Sequence, residues 1–131
     1  MIYRLAPAIG SLAITLLSAG SAMSVEPSDI EGSWRLVTVD GKQVSATGEV
    51  PGFSIEAGSI SGYDGCNRFS GPLDDPAMMI MSQRACASDR VMLPLDLADP
   101  AADLAKATLD GDNLVLPARG NLPAAAFQRA R

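Results

Sequence analysis

Gly62-Tyr63-Asp64-Gly65-Cys66-Asn67-Arg68-Phe69-Ser70-Gly71 places one of the chain's two cysteines between two strand-like segments punctuated by glycine. The other, Cys86, comes after nineteen intervening residues. In an exported chain two such thiols most simply form one disulfide, whereas in a reducing compartment the pair invites a metal or redox reading. The compartment therefore decides what the stretch means.

The N-terminus argues for export. Met1-Ile2-Tyr3-Arg4 is a short positive start, Leu5 to Leu17 is mostly apolar, and Ser18 to Ser24 is a run of small residues closed by Met23-Ser24. This is the pattern of a cleaved secretory signal over 1–24, with cuts suited after Ala22 or after Ser24. A retained anchor fits less well, because Pro7, Gly10 and Ser11 interrupt a run already short of the roughly 20 residues a bilayer span needs. No cysteine precedes Cys66, so the lipid-bearing cysteine of a lipoprotein is missing. The expectation is a periplasmic or secreted protein without a stable membrane anchor.

Residues 25–131 have the length of one domain with a modest core. Loss of Arg4 with the leader moves the formal charge from −5 to −6, and the remaining basic residues are scattered. An acidic chain without a basic cluster argues against nucleic acid and against anionic membranes. The absence of histidine removes Ser-His-Asp and Cys-His catalysis and imidazole zinc sites. Two cysteines are too few for a thiolate zinc site and lack the Cys-x-x-Cys spacing of thiol oxidoreductases. A Cys66–Cys86 disulfide is the economical reading, and closing that loop stabilises the fold by about 3 kcal/mol in the chain-entropy model. No cofactor or metal is expected.

Short strands separated by turns fill most of the chain. Gly32 to Val39 alternates, with Trp34, Leu36 and Thr38 on one side, and Asp40-Gly41 then signals a hairpin. Phe53-Ser54-Ile55-Glu56, the turn Ala57-Gly58 and Ser59 to Tyr63 make a second hairpin. Asn67 to Leu73 continues as a strand. Beyond Asp74-Asp75-Pro76, the apolar run Ala77 to Ser82 suits a buried strand or a helix turn, and its proline-bounded length favours strand. Asp110-Gly111-Asp112-Asn113 reads as a type I′ turn between Ala107-Thr108-Leu109 and Leu114-Val115-Leu116, and a last strand covers Ala125 to Arg129. Helix is confined to Ser88–Ala105. Ser88 can cap a turn that Pro94 interrupts; a better start is Asp99 as N-cap with Pro100 at the first helical position, running to about Lys106.

Gly32-Ser33-Trp34-Arg35-Leu36, Ile60-Ser61-Gly62, Gly65 to Gly71, Met81 to Cys86, Leu114-Val115-Leu116 and Phe127, in this order, resemble the META domain family of HslJ-like envelope heat-shock proteins. The marks of the resemblance are Gly62, Gly65, Cys66, Asn67, Arg68, Phe69 and Gly71, with Ala85 and Cys86 behind them, and it spans Ile30 to about Arg129. It implies an α+β fold: a small, mostly antiparallel β-sheet, open and barrel-like, with one short helix that prolines can split. It implies a non-enzymatic role in envelope stress tolerance or in contact with another envelope component. The chain departs from the family in carrying Pro94 and Pro100 where members often have a continuous helix.

Other clusters have plainer explanations. Asp110 to Asn113 lacks the frame of a calcium loop. Asp64, Asp74 and Asp75 are the carboxylates that a hydrolase would need as a pair, and turn chemistry accounts for all three. Asn67 and Arg68 are candidates for a polar recognition spot, although Asn67 bonding backbone in a bend and Arg68 facing solvent is favoured. Met78, Met79, Met81 and Met92 suit an irregular core, with an apolar groove as the alternative. Lined by methionine and phenylalanine, such a groove would make the protein a carrier of a lipid or another hydrophobic small molecule.

Overall fold

The computed structural model describes residues 25–45 and 48–130; the leader expected over 1–24 lies outside them. Nine strands form one antiparallel sheet: β1 (Gly32–Val39), β2 (Lys42–Gln43), β3 (Gly52–Glu56), β4 (Ser59–Tyr63), β5 (Arg68–Pro72), β6 (Ile80–Met81), β7 (Thr108–Asp110), β8 (Asn113–Leu116) and β9 (Ala125–Ala130). One helix, α1 (Pro100–Leu104), and single 3-10 turns at Pro27–Ile30 and Pro76–Met78 complete the α+β domain. Along the sheet the order is β6-β5-β4-β3-β1-β9-β8-β7, with β2 a short flap on β1. The sheet does not close, so β6 and β7 are its two edges.

Alternation in the sequence sets the two faces. Register aligns Trp34, Phe53, Gly62, Phe69 and Met81 across five strands, and Trp34, Phe53 and Phe69 are buried there. The neighbouring row aligns Ser33, Ser54, Ser61, Ser70 and Ile80 on the opposite face, the side toward solvent. The core is continuous from Val25 and Ile30 through the sheet to Leu93, Leu95, Leu104 and Phe127. Phe53 and Phe127 meet edge to face with ring centroids 5.2 Å apart, and the Trp34 indole donates to the Ile30 carbonyl at 2.9 Å.

Hairpin chemistry matches at two of three turns. Asp40-Gly41 and Ala57-Gly58 both have positive φ at each centre, the type I′ pattern that follows strand twist. At the third turn only Gly111 has positive φ (+59°), so Gly111-Asp112 follows the II′ pattern rather than the expected I′. Asp99 does cap α1, accepting from the Ala102 amide at 3.3 Å, with Pro100 first in the helix. The helix stops at Leu104 rather than near Lys106, because the Lys106 and Ala107 amides bond carbonyls three residues back and tighten the chain toward β7. Ser88 caps nothing: 88–90 is a turn without helix.

Two corrections bear on function. A bulge in β1 between Leu36 and Thr38 shifts the β1–β9 register, pairing Val39 with buried Ala125. Val39 rather than Thr38 thus packs against the core, since one extra residue reverses the alternation. The Ala77–Ser82 run is not a buried strand: it divides into the 3-10 turn and the two-residue β6, which pairs only with β5. Nothing among the described residues covers its outer side, and Met78 (62 %), Ile80 (73 %) and Met81 (38 %) are exposed.

Candidate functional site

The Gly62–Gly71 motif folds as a fastening. Asp64 is buried, and its Oδ1 accepts from the Cys66 amide (2.8 Å) and the Asn67 amide (2.6 Å), holding the bend between β4 and β5. At Gly65, φ is +107° and a Cβ would stand 2.3 Å from the Val91 carbonyl oxygen, so only glycine lets the two chains approach this closely. The Leu93 amide donates to the Asp64 carbonyl, which brings Leu93 into the core. Cys66 and Cys86 form the disulfide, with α-carbons 5.8 Å apart. Asn67 Oδ1 accepts from the Ser82 hydroxyl (3.1 Å) and the Arg84 amide (2.6 Å), tying down the segment that carries Ala85 and Cys86.

Arg68 lies on the solvent side, 5.6 Å over the Tyr63 ring and paired with exposed Glu49 at 2.7 Å. Arg90 donates to the Tyr63 hydroxyl, which itself donates to the Gly65 carbonyl. These polar side chains face one another or backbone. Phe69 is buried beneath β5, and Gly71 lies against Met79.

Asp64, Asp74 and Asp75 do not come together as a pair. Asp64 precedes β5 and Asp74 and Asp75 come after it, so the strand's five residues, about 17 Å, separate them. Asp74 and Asp75 are exposed. Among the described residues no group of three or more Cys, Asp or Glu is placed to hold a metal ion.

Of the four methionines expected to fill the core, three do not. Met78, Met81 and Met92 are exposed, and Met79 alone packs against the buried cluster. Nor do they share one groove: Met92 lies over Gly65, near the disulfide, while Met78 and Met81 flank Ile80 at the β6 edge. An open hollow of about 600 Å³ extends from this edge over the sheet, bounded by Ser54, Ser61, Arg68, Ser70, Ile80 and Met81. A smaller apolar hollow of about 240 Å³ lies between Val25, Ile30, Leu73 and Leu104, and no methionine lines it.

One arrangement had no signal in the sequence. Arg119, in the loop that joins β8 to β9, and Asp103, in α1, form a buried pair, with Arg119 Nη2 2.6 Å from Asp103 Oδ2. Burial by itself raises the Asp103 pKa, but the Arg119 guanidinium, the Asp96 amide and the Lys106 charge outweigh it and hold the carboxyl below its usual value. Neighbouring backbone carbonyls share the guanidinium, so the pair is structural.

Among the described residues, the β6 edge combines an open strand side with exposed apolar side chains, and the Asn67 bonds and the disulfide hold the segment behind it in place. No curated protein and no solved structure is similar enough to this chain to be matched. A family model described as META domain matches residues 28–131, an interval that takes in every strand and the Cys66–Cys86 fastening. The chain belongs to the META domain family.

Proposed function

We propose that this protein is exported to the envelope and works there without catalysis, as a docking domain that contributes to stress tolerance by holding an extended segment of another envelope protein along β6. The observation that carries this reading is the 73 % exposure of Ile80 on an edge strand, flanked by exposed Met78 and Met81. An edge strand with open backbone groups is a template for strand addition, and apolar side chains beside it supply affinity. Charge narrows the occupant. The edge begins at Asp74-Asp75 and ends at Arg84, all exposed, so it suits an apolar strand with a cation at one end and an anion at the other. The disulfide and the leader-like N-terminus support an oxidising compartment.

The carrier reading has less support. Pockets for small apolar ligands run to about 300–1,000 Å³ and enclose most of the ligand. The apolar hollow at Val25 and Leu104 is about 240 Å³, and the larger one at β6 lies open along the sheet.

The test is fluorescence anisotropy with a labelled strand peptide, acetyl-Lys-Val-Thr-Val-Thr-Val-Glu-amide. Wild-type protein is expected to bind it, and Ile80→Lys to weaken binding at least tenfold. Equal binding by both proteins would overturn the reading.

A further inference from the structure

The β6 edge carries a second chemistry. Both cysteines are joined and no free thiol is present among the described residues, so thioethers are the sulfur this surface offers an oxidant. Their accessibility is graded: Met78 is 62 % exposed, Met92 49 % and Met81 38 %, whereas Met79 packs against the core. Two of the three exposed methionines therefore sit at the proposed docking strand, one before and one after Ile80 in the chain.

We propose that Met78 and Met81 are modification sites that make this edge an oxidation-sensitive switch, an inference that rests on the docking reading. A sulfur lone pair attacks one oxygen of a hydroperoxide and the O–O bond breaks. The oxygen stays on sulfur as a sulfoxide while the other leaves as water, or as an alcohol from an alkyl hydroperoxide. Sulfur is oxidised by two electrons and the peroxide is reduced by two. The product side chain is polar and a strong hydrogen-bond acceptor, so an apolar rim becomes a hydrated one. An apolar strand then loses its contacts on both sides of Ile80. The fold is expected to hold, because neither Met78 nor Met81 belongs to the buried cluster, and the methionine that packs against it, Met79, is partly buried. Oxidation thus acts on docking without unfolding the domain, and enzymatic reduction of the sulfoxide restores the edge.

The experiment treats the whole protein with hydrogen peroxide, tracks sulfoxide formation by peptide mass spectrometry, and measures binding of the same labelled strand peptide before and after. Met78 is expected to oxidise first and Met79 last. The peptide affinity is expected to fall at least tenfold while the thermal unfolding midpoint holds. Met78→Leu/Met81→Leu keeps the shape without the thioethers and is expected to retain its affinity after peroxide, whereas Met92→Leu loses it as wild type does. Binding indifferent to oxidation would overturn the switch alone, as would equal loss in the Met78→Leu/Met81→Leu protein. Failure of the untreated protein to bind the peptide would overturn the docking reading and the switch with it.

Discussion

Arg119 grips Asp103 with two prongs, Nε on Oδ1 at 2.7 Å and Nη2 on Oδ2 at 2.6 Å, and gives its remaining N–H groups to the carbonyls of Pro94, Pro117 and Pro123. All five guanidinium donors are thereby engaged, at a side chain only 9 % exposed. Asp103 Oδ2 also accepts from the Asp96 amide at 2.9 Å. One buried ion pair thus joins α1, the 94–96 segment and the β8–β9 connection, three stretches that lie outside the sheet. Arg119→Ala leaves a buried carboxylate without its cation and is expected to cost about 3–5 kcal/mol in a urea titration. Arg119→Lys keeps the charge but not the fork, and should recover only part of that loss.

The same pair sets an acid limit. The folded-state pKa of Asp103 lies below the ordinary value of 3.8. Its contribution is therefore complete above about pH 4, where the unfolded carboxyl is also ionised, and fades as pH falls through the folded-state value. The stability gap between wild type and Asp103→Asn is expected to be widest near neutrality and to narrow below about pH 4. Urea midpoints measured from about pH 7 down to about pH 2 check this; a gap that widens with acidification would contradict the sign.

Reduction of Cys66–Cys86, or the Cys66→Ser/Cys86→Ser variant, should lower stability by about 3 kcal/mol. Asn67→Ala removes the acceptor for the exposed Ser82 hydroxyl and Arg84 amide, which water can then satisfy, and should cost about 0.5–1.5 kcal/mol. The two losses are coupled, since both release the segment behind β6. A double-mutant cycle in urea should show that they do not add.

At Gly62 a Cβ would meet the Gly52 carbonyl oxygen at 2.3 Å and the Phe69 ring at 2.8 Å. Backbone cannot yield as a flexible side chain does, so Gly62→Ala is expected to destabilise by about 3 kcal/mol, toward the top of the range for overpacking. Thermal unfolding of the variant measures it.

The hairpins were legible because alternation and turn residues agree: Phe53 and Ile55 face Gly62 and Ile60 across a two-residue turn, and a one-residue slip would turn the apolar side chains out of the core. The bulge in β1 was hidden, since Val37, Thr38 and Val39 all suit a strand and no glycine marks the extra residue. Apolar composition could not separate a buried β6 from an exposed one; that depends on whether any element covers its outer side, which is a matter of topology. Asp103 and Arg119 escaped for a different reason. They are sixteen residues apart, and most of the guanidinium's partners are backbone carbonyls, which every residue has. The Cys66 motif was legible as a fastening because a leader-like N-terminus, two cysteines and no histidine leave a disulfide as the economical reading; the bonds from Asp64 and Asn67 then hold the bend.

Amide hydrogen exchange on the intact protein, with and without the strand peptide, tests docking at β6 most directly. The Ser82 amide already bonds β5 through the Arg68 carbonyl, so by alternation the Met81 amide is the one β6 offers outward. The account predicts at least tenfold slower exchange at Met81, with no change at the opposite edge, Thr108–Asp110. Protection confined to that opposite edge or to the Val25–Leu104 hollow, or no protection at saturating peptide, would contradict it.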